Sequence, residues 1–153
     1  MKSIAMFFML AGAVVMAADA PTFGMWTPET AKQIGKELAT KLNPDGSASR
    51  PLGNMGNYTF SMILRRQSGA AEIHEKMSDI MVVESGEATM VQGGKAVNPK
   101  PTAPNEIRGT AIEGGTEHPI KPGDVLTIPA GMPHQMKVAP GKEIVYLTVK
   151  VAQ

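Results

Sequence analysis

Residues 123–138, GDVLTIPAGMPHQMKV, decide how this chain is read. Gly123 and Asp124 suit a tight turn, residues 125–128 suit a short buried strand, and Pro129, Gly131 and Pro133 force the backbone to change direction. His134 then opens a second strand from a stiff support. A side chain that must hold one position gains from such backing, because a functional group is only as well placed as the scaffold beneath it. A histidine that merely caps a β-corner fits the same local pattern, so its role depends on what else converges on it.

Outward from this stretch the pattern is strand and turn. Strands are predicted at 58–66, 71–76, 79–85, 88–92, 110–113, 125–128, 134–138 and 144–151. With 12 Pro and 16 Gly among 153 residues, the punctuation favours short strands over long helices. Regularly spaced short strands indicate an all-β antiparallel sandwich or small barrel. One helix precedes them: Thr27 is an N-cap, Pro28 suits the first helical position, and Glu29 faces the positive end of the dipole. Ala31, Ile34, Leu38 and Leu42 form a stripe at helical spacing, which predicts a helix over 28–42 lying on the barrel exterior. Asn43-Pro44-Asp45-Gly46 stops it, and 43–57 reads as a polar connection. Residues 92–109 hold three prolines and are too long for a passive hairpin, so they read as a mobile lid over a pocket or as a surface excursion. Gly93-Gly94-Lys95 is not a phosphate loop, since Thr89 and Ala96 stand where that motif needs a glycine and a hydroxyl residue.

Composition narrows the function classes. Lys plus Arg number 15 against 14 Asp plus Glu, which gives no electrostatic reason to expect nucleic acid or an anionic membrane. The first twenty residues, MKSIAMFFMLAGAVVMAADA, join one lysine, an apolar run over 4–16, and small residues at the spacing a signal peptidase reads. Residues 1–20 therefore read as a signal peptide, with cleavage after Ala17 or Ala20, and the mature chain as secreted or periplasmic. The run is shorter than the roughly 20 residues a membrane anchor needs, so no membrane association is expected once the signal is removed. The chain has no cysteine, which excludes both a disulfide framework and a lipid-modified cysteine.

Chemistry enters at SGAAEIHEKMSDIMVVESGE, residues 68–87. Glu72 and His74 are two apart, so strand alternation sets both on one face while Glu75 points the other way. A turn at 76–78 returns Asp79 toward the same space. With His134 the set becomes two imidazoles and two carboxylates, a ligand mix that suits iron, manganese or zinc. His118 sits before a proline in a turn-like region and reads as exposed. Met81 and Met136 share faces with Asp79 and His134, and core packing is their simplest role.

These residues resemble a single-domain cupin. The second cupin motif places Gly, Pro-x-Gly and His where this chain has Gly123, Pro129, Gly131 and His134, with Val138 in place of its final Asn. The first motif, His-x-His followed by Glu and Gly, is matched in spacing by Glu72-x-His74, Asp79 and Gly86, although Arg66 stands at its leading Gly. The resemblance implies a double-stranded β-helix, the cupin jelly-roll barrel, over residues 58–153, and does not account for the helix and linker that the residues themselves predict over 21–57. It implies one divalent metal, iron, manganese or zinc, on Glu72, His74, Asp79 and His134, and a small-molecule ligand or substrate. A metal-dependent enzyme of dioxygenase, isomerase or lyase type is one expectation, and a non-catalytic module for a sugar or organic acid is the other. Homodimerisation is expected by the same resemblance.

Overall fold

The computed structural model describes residues 23–153. The signal-peptide reading of residues 1–20 lies outside the described residues. Helix α1 spans Pro28–Leu38 and thirteen strands follow: β1 Ser47–Asn54, β2 Tyr58–Arg65, β3 Ala71–His74, β4 Met77–Gly86, β5 Ala88–Gln92, β6 Lys95–Val97 and β7 Lys100–Ala103. Then come β8 Glu106–Gly109, β9 Ala111–Glu113, β10 Thr116–Ile120, β11 Val125–Ile128, β12 His134–Lys137 and β13 Ile144–Ala152. All pair antiparallel in two main sheets, β1-β2-β13-β4-β11 and β10-β5-β12-β3-β8-β7, with β6 and β9 forming a small third ribbon.

Strand alternation sorts each sheet into an inner and an outer face. On β4, Asp79, Met81 and Val83 are buried between the sheets, whereas Ile80 and Glu84 point out. Met81, Val83, Met90, Ile120, Ile128, Met136, Ile144 and Tyr146 fill the space between the two sheets as one apolar cluster. Met81 and Met136 thus serve the core. Helix α1 lays Ala31, Ile34 and Leu38 on Met62, Leu64 and Val145 of the outer face of the first sheet. Thr27 caps it by accepting a hydrogen bond from the Thr30 amide at 3.3 Å.

Four local readings change. The helix ends at Leu38, because Thr40 and Lys41 turn back onto the carbonyls of Glu37 and Leu38; Leu42 still reaches the helix cluster from that turn. Within the stretch read as a polar connection, Ser47–Asn54 is an edge strand, where Pro51 loses no needed donor. Residues 92–109 are not a loop but carry β6, β7 and β8, and β8 is an interior strand beside β3. Asn105, at φ 61°, makes the turn from β7 into β8, a conformation asparagine tolerates. His118 lies in strand β10 rather than a turn, and its side chain is exposed as the sequence suggests.

Candidate metal centre

Three strands and one turn bring the predicted residues together. On the inner face His134 pairs with Glu72 of β3 on one side and Gln92 of β5 on the other. Asp79 arrives from the opposing sheet on β4, flanked by Lys150 of β13 and Ile128 of β11. The Pro-Ala-Gly-Met-Pro turn fixes the two histidines relative to each other. Its Gly131, at φ 78°, adopts a backbone that favours glycine, and its amide donates to the His74 carbonyl at 2.8 Å. The Gly93 amide donates to the Pro133 carbonyl at 2.8 Å, and the Ala130 amide to the Ser78 hydroxyl at 3.1 Å. The turn therefore ties the start of β12 to β3, β4 and the end of β5, and His134 has no freedom to swing.

The geometry inside is compact. His74, Asp79 and His134 are each about 2% exposed, and the two imidazole centroids are 5.2 Å apart. His74 Nε2 lies 3.3 Å from Glu72 Oε2 and 3.4 Å from Asp79 Oδ2; His134 Nε2 lies 3.8 and 3.6 Å from the same two oxygens. A tetrahedral ion with bonds of about 2.1 Å has ligand-to-ligand edges of about 3.4 Å, so these spacings suit a first-row cation. One atom from each of Glu72, His74 and His134 lies within 4.8 Å of the others.

The ring tautomers point the same way. His134 Nδ1–H donates to the Met132 carbonyl at 3.1 Å, leaving Nε2 as a lone pair, and that atom is buried with no hydrogen-bond partner among the described residues. His74 Nδ1–H donates to the Glu106 carboxylate at 2.7 Å, the carboxylate support that metal-ligating imidazoles commonly have. Glu106 is held in turn by Arg108 at 2.9 Å.

The charges are arranged to stay ionised although buried. Burial alone raises the Glu72 carboxyl, but the contact with His74 and the charge of Arg108 outweigh it and bring its pKa down to about 2. Burial likewise opposes ionisation of Asp79, and His74 and Lys150 overcome it, holding the group below its ordinary value. Burial keeps His134 below the usual imidazole range, hence neutral. Burial and the nearby Lys150 ammonium disfavour charge on His74, while hydrogen bonds with Asp79 and Glu72 favour it. Lys150 Nζ sits 2.8 Å from His74 Nε2 and 2.9 Å from Asp79 Oδ1, which with Nδ1–H on Glu106 makes the ring the neutral tautomer. The ammonium donates, and the ring accepts at Nε2.

Glu72, His74, Asp79 and His134, the residues the sequence pattern points to, converge here, and Glu106, Arg108 and Lys150 join them without a legible sequence signal of their own. Glu106 and Arg108 alternate within Glu106-Ile-Arg-Gly as Glu72 and His74 do, but that pattern is hidden among prolines. Arg65 faces inward, 3.7 Å from Glu72 and 3.3 Å from the buried Tyr146 hydroxyl, whereas Arg66 pairs outside with Glu143. Beside the centre, a cavity of about 390 Å³ opens between β10 and β11. None of the four ligand candidates lines it, but Gln92 and Ile128 do, and these are the cross-strand neighbours of His134 and Asp79.

Residues 109–153 match the family model of the AraC-like ligand binding domain. No curated protein matches the sequence. Among solved structures, an oxalate oxidase in complex with glycolate is 17% identical, with a TM-score of 0.51 over 72% of this chain and 53% of that one. A cupin-like protein from Thermotoga maritima is 17% identical, at TM-score 0.50 over 69% and 68%. A sugar phosphate isomerase of the cupin superfamily from Silicibacter pomeroyi is 20% identical, at TM-score 0.51 over 71% and 61%. This chain thus spans about half the length of the oxalate oxidase. At these identities the likeness concerns the fold, and the fold is an all-β, cupin-type jelly roll with one helix, α1, among the described residues.

Proposed function

We propose that this chain is an exported cupin that binds one divalent metal, iron, manganese or zinc, through Glu72, His74 and His134, with Asp79 joining the set, and that it receives a small oxygenated metabolite beside that metal. The observation that carries the reading is the buried, unpartnered His134 Nε2, aimed with its lone pair at the space that His74 Nε2 also faces. An orphaned buried acceptor is costly unless something occupies it. When bound, the metal supplies a Lewis acid or oxygen-activating centre. The chain's own residues do the rest: Glu106 and the Met132 carbonyl fix the two rings, and Gln92 and Ile128 connect the centre to the neighbouring cavity. Dioxygenase, isomerase and lyase chemistry all suit such a site. The signal-peptide pattern over 1–20 supports export, and no described helix is long and apolar enough to cross a membrane. Phe60, Val149 and Ile80 form an apolar row on the outer face of the first sheet, which supports homodimerisation.

A second reading has its own support. Lys150 places a cation on Asp79 and His74, which offsets the buried carboxylate without a metal and suits a metal-free module for a sugar or organic acid. Equilibrium dialysis against manganese, iron and zinc separates the two. The parent is expected to retain close to one ion per chain, and His134→Ala to lose tight binding while keeping its β-sheet circular dichroism. Equal binding by both proteins, or none by the parent, would favour the metal-free module.

A further inference from the structure

Lys150 stands where a metal ligand set needs space. Strand pairing places it directly across from Asp79, and its Nζ reaches both Asp79 oxygens, at 2.9 and 3.2 Å, and His74 Nε2 at 2.8 Å. His74 Nε2 has a single lone pair, which can serve the ammonium or a metal but not both. Nδ1 offers no alternative, because it is committed to Glu106. The charge count agrees. Three carboxylates at the centre, Glu72, Asp79 and Glu106, face three cations, Arg65, Arg108 and Lys150, so the cluster is balanced with the lysine in place. A divalent ion added to that balance leaves two positive charges in excess in a buried site, and withdrawal of Lys150 halves that excess. The lysine is able to withdraw: its side chain is 31% exposed while the Asp79 it holds is 1% exposed.

Resting on the metal reading, we infer that Lys150 is a built-in competitor for the metal: its ammonium fills the corner between His74 and Asp79 in the metal-free protein and must leave both when an ion enters. In the metal-free state it satisfies Asp79 and keeps the barrel stable. On metal entry it frees Asp79 as a ligand, and its ammonium turns to solvent. The chain thereby trades metal affinity for a stable empty site.

Isothermal titration of zinc and manganese into chelator-treated parent and Lys150→Met tests this. Lys150→Met should bind at least about tenfold more tightly, and its metal-free form should melt below the parent, with the gap closing when metal is added. A parent that binds weakly beside a variant that binds tightly supports the inference as well, whereas a parent that binds nothing overturns the metal reading and the inference that rests on it. A parent that binds while Lys150→Met binds no more tightly overturns the competition and leaves the metal reading standing; no binding by either overturns both. Should the variant not fold, reductive methylation of the unaltered protein answers the same question by peptide mass spectrometry. Lys150 should label faster with zinc than without it, and an unchanged rate overturns the inference.

Discussion

Glu72 gives the candidate centre a measurable acid signature. Its carboxyl is ordinarily near 4.5 and is held at about 2 in the folded chain by His74 and Arg108. Each unit of such a shift is worth about 1.4 kcal/mol, so the ionised carboxylate contributes at most roughly 3 kcal/mol to folding. The side chain is 22% exposed, which makes that figure an upper bound. Because the folded value is depressed, the contribution is fully present above about pH 4.5 and is lost as the pH falls from there toward 2. Urea unfolding of chelator-treated parent and Glu72→Gln, from pH 7 to 2.5, isolates it, since other carboxylates titrate in both proteins. The stability difference should be constant from pH 7 to about 5 and then shrink steadily by up to roughly 3 kcal/mol. A difference that stays flat through the acid range would show that Glu72 is not held by these partners, and the charge arrangement described for the centre would be wrong.

Other expected outcomes follow from the same contacts. Glu106→Gln removes the carboxylate behind His74 and should weaken metal binding about 10- to 100-fold in titration calorimetry, with the fold retained. Ile34→Ala leaves a cavity between α1 and the first sheet, where Ile34 is 2% exposed, and should cost about 2–5 kcal/mol in urea unfolding. Gly86→Ala sets a Cβ against the Glu143 carbonyl, at a φ of 79°, and should lower the melting temperature by several degrees; an unchanged melt would contradict the turn geometry. His118→Ala, altering an exposed side chain on β10, should change neither metal binding nor stability.

The legible part of the site is the part written in local pattern. The Pro-Ala-Gly-Met-Pro turn announces a fixed His134, and the two-residue spacing of Glu72 and His74 announces a shared face, because alternation along one strand needs no knowledge of its neighbours. Lys150 was not legible for the converse reason. Its strand alternates plainly, but which phase faces inward depends on the register against β4, and only pairing across the sheet brings it to Asp79. Glu106 depends on pairing with His74 across a stretch whose prolines argue for a loop. Ser47–Asn54 carries no strand signal because Ser, Arg, Pro and Gly give no period, and the strand exists through its pairing with β2. The exposure of His118 is legible in the sequence while its strand is not, since burial and strand pairing are separate properties at a sheet edge.

The most direct test of the account is anomalous diffraction from crystals soaked in manganese or zinc. The account predicts one anomalous peak within coordination distance, about 2.0–2.2 Å, of His74 Nε2, His134 Nε2 and a Glu72 oxygen, with Lys150 Nζ withdrawn from His74. Soaked crystals with no peak between the two imidazoles, and Lys150 still bonded to His74 Nε2, would contradict it.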